Sequence, residues 1–125
     1  VSNINIHFNE GMCKSLLKEL RFTIGEQYEL NEFNLKTLKS TFGRGLEYEN
    51  YEYIKGDFRT LFGVSFSCNP ILQYNGDILC KVIYEFRSSY YNYLKSKVNL
   101  CVFGEVTVDI LIKDKYHCQI VLQSK

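Results

Sequence analysis

At 125 residues, with 46% hydrophobic and 23% charged residues, the chain has the makeup of one folded domain and not of a disordered segment. Its net charge of +1 supplies no global attraction toward nucleic acid or an anionic membrane, and no apolar run approaches the roughly 20 residues needed to cross a bilayer. Five scattered cysteines without a C-x-x-C pair exclude the usual zinc and thioredoxin motifs.

Along the chain, Ile4, Ile6 and Phe8 alternate with Asn5, His7 and Asn9, the pattern of a short strand. Asn9 then caps an expected helix running to about Leu20, with Met12, Leu16, Leu17 and Leu20 on one apolar stripe and Gly25 at or beyond its end. Asn31, Glu32 and Gly43 punctuate a second helix, whose buried side would be Phe33, Leu35, Leu38 and Phe42. Glycines 45, 56 and 63 divide the next stretch, where Asp57 is expected to cap a helical turn carrying Phe58, Leu61 and Phe62. Val64, Phe66 and Cys68 alternate with serines as a strand leading to a corner at Asn69-Pro70.

The second half reads as sheet. Asn75-Gly76 is a two-residue hairpin signal, and 78–86 alternates in period two after it. Residues 105–113 form the cleanest alternation, with Val106, Val108, Ile110 and Ile112 expected on the buried face. Lys113-Asp114-Lys115 makes a turn, and 116–123 returns as a strand. Between them lie 88–97, a loop or short helix, and the apolar stretch 98–103. The expected fold is therefore α+β over 1–125, with N-terminal helices packed on one face of a mostly antiparallel C-terminal sheet.

No constellation specifies a reaction, a cofactor or a metal. Gly43-Arg44-Gly45 is too short to cradle a nucleotide, and no His or Cys pair sits at helical ligand spacing. The two histidines, His7 and His117, fall in strands near opposite ends of the chain. Paired strand histidines occur in two-histidine phosphoesterases, whose motif is His-x-Thr or His-x-Ser. His7-Phe8-Asn9 and His117-Cys118-Gln119 lack the hydroxyl that should help hold phosphate. Cys118 follows His117 directly, so the two side chains point to opposite faces of a strand and cannot form a dyad.

Tyrosine is the unusual feature: 10 Tyr and 9 Phe stand beside no Trp, and the sequence contains no Ala. Glu47, Tyr48, Glu49, Tyr51, Glu52 and Tyr53 make an acidic aromatic patch, and Tyr90, Tyr91 and Tyr93 a second one followed by Lys95 and Lys97. Rigid amphipathic rings among polar groups suit protein interfaces. The expectation is a non-enzymatic cytoplasmic binding domain, an inhibitor of the immunity or antitoxin type, whose acidic patch docks a basic partner such as a nuclease toxin. The alternative is an RNA or single-strand module, since residues 63–125 join seven basic and five acidic residues to Tyr90, Tyr91, Tyr93 and Tyr116. Third comes a phosphoesterase using His7 and His117.

The cysteines are odd in number and lie in apolar settings, so all five are expected as free thiols. Alkylation of denatured, unreduced protein should add five labels by mass. A stable internal disulfide in freshly purified protein would refute this.

Overall fold

The computed structural model describes residues 14–98 and 101–125, with 101–103 described by backbone alone. Its strands are, in chain order, β1 (Leu35–Thr37), β2 (Thr41–Gly43), β3 (Leu46–Tyr53), β4 (Thr60–Leu61), β5 (Val64–Ser65), β6 (Ile71–Asn75), β7 (Ile78–Arg87), β8 (Cys101–Phe103), β9 (Val106–Ile112) and β10 (His117–Ser124). One antiparallel sheet takes the order β1-β3-β6-β7-β10-β9-β8, and β2 pairs with the remaining part of β3. The β4–β5 hairpin stands apart from it. Helix is sparse: 14–19 (α1), Tyr91–Lys97 (α2) and three single 3-10 turns.

This corrects the α+β expectation. The described chain is mostly antiparallel sheet, and the first half contributes strands where a second helix was expected. Tyr28–Leu30 and Glu32–Asn34 are only 3-10 turns, and no side-chain cap forms at Asn31. Residues 35–37 instead pair with 51–53, and the Leu38 amide donates to the Asn50 carbonyl. Tertiary pairing with β3 thus overrides local helix signals. Phe33 and Phe42, expected in the core, are 91% and 78% exposed. Asp57 caps no helix; its carboxylate binds Arg21 and accepts the Tyr53 hydroxyl. The expected strand at 4–8 and His7 lie outside the described residues, as does Met12 of the first helix. Within that helix the apolar stripe holds, with Leu16 and Leu20 buried and Leu17 packed against the core.

Three tight hairpins share one device. The connecting pairs Arg44-Gly45, Phe62-Gly63 and Gly76-Asp77 all have positive φ at both residues, the backbone of a type I′ turn. The hairpin signalled by Asn75-Gly76 is therefore present, displaced by one position. Strands expected at 78–86, 105–113 and 116–123 run Ile78–Arg87, Val106–Ile112 and His117–Ser124.

Alternation sends one side of the sheet to the core. Tyr51, Leu72, Val82, Leu122 and Val108 form one row across five strands, and Tyr84, Ile120 and Ile110 form the next. Leu16, Leu20, Phe22, Leu94 and Val98 cover these rows. In β7 the phase changes at Cys80, an extra residue between the pairs Gln73–Lys81 and Tyr74–Leu79. This bulge lets both Leu79 and Val82 point inward. Of the four β9 residues expected inside, Val108 and Ile110 are buried and Val106 is half-buried, but Ile112 is 60% exposed where the core ends.

Ile110 is buried in one row with Ile120 and Tyr84, so Ile110→Ala should destabilise by about 2–5 kcal/mol. Urea unfolding checks it, and a loss under about 1 kcal/mol would place Ile110 outside the core.

Candidate anion-binding face

The opposite side of the sheet is built from the other half of the same alternation. Its rows are Asn50, Gln73, Lys81, Gln123 and Thr107, then Glu52, Ile71, Ile83, Val121 and Asp109. Glu85, Gln119 and Leu111 follow, and Arg87 with His117 closes the face. The buried helical residues Leu16, Leu20 and Leu94 all belong to the core cluster, so the described helices pack on the other side.

Among the described residues, Glu85 is the one buried charge on this face. Its carboxylate accepts from Lys113 Nζ at 2.8 Å, Gln119 Nε2 at 3.1 Å and Ser67 Oγ at 3.2 Å. Burial works to raise its pKa, but these donors outweigh burial and hold it below its usual range. Cys68, close to the same carboxylate, is pushed up to about 11 by burial and by that charge. It is therefore a protonated thiol at neutral pH and not a nucleophile.

At the end of the face, Arg87, Tyr90 and His117 line a concavity of about 520 Å³ together with Ser65, Phe66 and Ser67. His117 Nδ1 lies 3.0 Å from Asp114 Oδ1, which also accepts the amides of Tyr116 and His117. The Tyr116 amide leads the causes that hold the Asp114 carboxyl below its ordinary value, and the His117 side chain adds to it. Ser88 anchors the turn from both sides: its amide donates to the Tyr116 carbonyl and its hydroxyl to that of Lys115, each at 2.8 Å. The turn consequently presents Tyr116, 66% exposed, with Lys115 Nζ 5.6 Å from its ring centre.

The acidic aromatic patch does not survive as one surface. β3 alternates, so Tyr51 and Tyr53 enter the core while Tyr48 and Glu52 lie on the opposite face. Those two rings are unavailable to a partner. Burial pushes the Tyr53 hydroxyl up to about 12, and it is spent on Asp57 at 2.8 Å. Glu49 accepts the Tyr51 hydroxyl, Glu52 accepts from Asn69, and Glu47 remains exposed. In the second patch Tyr90 and Tyr93 are exposed, whereas Tyr91 packs against the core. Lys95 and Lys97 sit over Tyr91 and Tyr93, each at 5.6 Å.

The sequence reading missed Asp114 as the partner of His117 and Arg87 as its cross-strand neighbour. An Asp-x-x-His spacing spanning a turn was the available signal; the Arg87 pairing depends on register. Among the described residues, no three His, Cys, Asp or Glu side chains are grouped to hold a metal. Likewise, no helix among them is long and apolar enough to cross a membrane. Comparison with protein-family models, curated proteins and solved structures finds no match to this chain.

The Glu85 network should show in the acid limb of stability. Its folded pKa lies below the unfolded value, so its contribution is full above about pH 4.3 and is lost as pH falls through the folded value. Glu85→Gln should cost about 1–3 kcal/mol at pH 7 and flatten the decline of stability below that pH. Denaturant unfolding from pH 7 to pH 2 measures both, and an unchanged acid limb would show that Glu85 does not carry it.

Proposed function

We propose that the chain is a non-enzymatic binding domain whose cationic aromatic end takes single-stranded nucleic acid. The supporting observation is that Arg87, Tyr90 and His117 line one concavity with no carboxylate among the described residues of its wall, beside an exposed Tyr116 under Lys115. Sequence-tolerant single-strand binding needs this combination: cations that replace phosphate counterions and flat rings on which bases stack. The small net charge of the whole chain is no obstacle, because Glu85 and Asp114 are engaged by Lys113 and His117. A reducing, cytoplasmic setting belongs to the same proposal and is supported by the free thiols of Cys68, Cys80 and Cys118.

A second reading keeps an inhibitor of the immunity or antitoxin type, docking a basic protein. It is favoured by the β2–β3 hairpin, where Phe42 and Leu46 are exposed beside Glu47. Apolar anchors flanked by a charge that steers association are what such an interface uses.

Fluorescence anisotropy with labelled single-stranded RNA and DNA separates the readings. Tyr116→Ala should weaken binding by about 1–3 kcal/mol, the usual worth of one stacked base. Arg87→Gln should lower affinity and reduce the slope of log K against log salt by about 0.7. Glu47→Lys should leave oligonucleotide binding intact or strengthen it. Absence of binding at low salt, or binding unaffected by the first two changes, would remove this end from the site. Capture of a basic nuclease that is lost in Glu47→Lys would then favour the hairpin.

A further inference from the structure

The far end of the same face carries a second concavity, of about 440 Å³, whose wall includes Arg44, Tyr48, Lys81, Thr107, Gln123 and Lys125. We infer that it is a binding site for a phosphomonoester of nucleotide size, with Arg44 and Lys81 holding the phosphate and Tyr48 flanking the base.

Three features of the backbone bring these residues together. Arg44 sits at the tip of the β2–β3 hairpin because a type I′ turn puts it there with φ at 52°. Lys81 is the first residue after the β7 bulge, paired with Gln73 on one side and Gln123 on the other, so the bulge fixes which face it occupies. Tyr48 reaches the face from β3, its ring beside Gly43; a Cβ there would stand 3.6 Å from Tyr48 Cε2. Lys125 is placed by its own amide, which donates to the Glu105 carbonyl at 2.7 Å.

Charge then identifies the class of ligand. Among the described residues no Asp or Glu side chain lines the wall, and none of Arg44, Lys81 or Lys125 forms an ion pair. Like charges gathered around one concavity repel each other and focus field into it, and an anion relieves both. A guanidinium with an ammonium beside it matches a phosphate dianion, the first by two parallel hydrogen bonds and the second as a point charge. The volume lies within the range of small-molecule sites and exceeds what a bare ion needs. The planar Tyr48 ring supplies apolar surface suited to a base or similar ring. Cys80, also in the wall, donates to the Gln73 carbonyl at 3.3 Å, and burial raises its pKa, so it takes no covalent part.

This site is independent of the nucleic-acid proposal. Lys81 and Arg87 are six residues apart on β7, about 20 Å along a strand. Isotope-labelled full chain titrated with adenosine monophosphate, inorganic phosphate and adenosine, followed by amide NMR, provides the test. The monophosphate should cause saturable shifts at Arg44, Lys81 and Gln123, inorganic phosphate weaker shifts at the same amides, and adenosine little or none. Lys81→Gln and Arg44→Gln should each weaken the monophosphate about tenfold, as loss of one charge-assisted contact does. Both positions are at least partly exposed, and native spectra verify folding. Arg87→Gln should leave monophosphate binding unchanged, so failure at one end is distinct from failure at the other. Absence of saturable shifts with either phosphate ligand overturns the inference, as does undiminished binding by both variants. Equal binding of inorganic phosphate and the monophosphate overturns the nucleotide assignment.

Discussion

The structure depends on β7 being held on both edges. Its ten residues pair with β6 over 78–83 and with β10 over 81–87, so that 81–83 are held on both edges and the strand anchors both halves of the sheet. Its inward side chains, Leu79, Val82, Tyr84 and Phe86, are fully buried. One extra residue, Cys80, allows a strand of this length to change phase without losing either partner. Everything outside follows in order: β3 and β1 build on β6, and β9 and β8 build on β10.

Tyrosine fills the role that Trp and larger aliphatic clusters play elsewhere. Tyr53, Tyr74 and Tyr84 are among the largest fully buried side chains, and rings meet edge to face at 5.0 Å between Phe22 and Tyr53 and at 5.6 Å between Tyr51 and Tyr74. Such contacts add about 0.5–1.5 kcal/mol beyond area burial. A buried phenol costs free energy unless its hydroxyl is bonded; the Tyr74 hydroxyl has no hydrogen-bond partner among the described residues, whereas those of Tyr84 and Tyr53 are bonded, with architectural consequences. Tyr84 donates to the Leu20 carbonyl at 2.6 Å, tying the end of α1 to the centre of the sheet. Tyr53 donates to Asp57, which also binds Arg21, so the segment after α1 and the loop after β3 meet at one carboxylate.

Those demands leave the surface chemistry to the other face. Once core hydroxyls have used Glu49 and Asp57, and Lys113 has neutralised Glu85, cations without ion pairs among the described residues remain at both ends of that face, Arg87 and Lys115 at one and Arg44, Lys81 and Lys125 at the other. Ile71, Ile83 and Val121 lie between them and are half-buried or buried. A nearly neutral chain thus places cations without ion pairs at two separate positions on one face. The separation arises from strand alternation, which sorts alternate residues to opposite sides, and not from any cluster along the chain.

Periodicity alone located β7, β9 and β10, because strong period-two runs bounded by turn residues leave few alternatives. The hairpin near Asn75 and the turn at Lys113 were legible for the same reason. The helical stripe of Leu16, Leu17 and Leu20 was legible too, since it is a local pattern. Residues 31–43 were not, because their apolar spacing suits a helix while pairing with β3, distant in sequence for β1 and across a tight hairpin for β2, makes 35–37 and 41–43 strands. The site followed the same division. That tyrosines, lysines and His117 carry the polar chemistry was visible in the residues. Which tyrosines are core, that Arg87 pairs with His117, and that Arg44 and Lys81 line one concavity were decided by the tertiary pairing of strands. A one-residue shift reverses every face, and no local propensity encodes that choice.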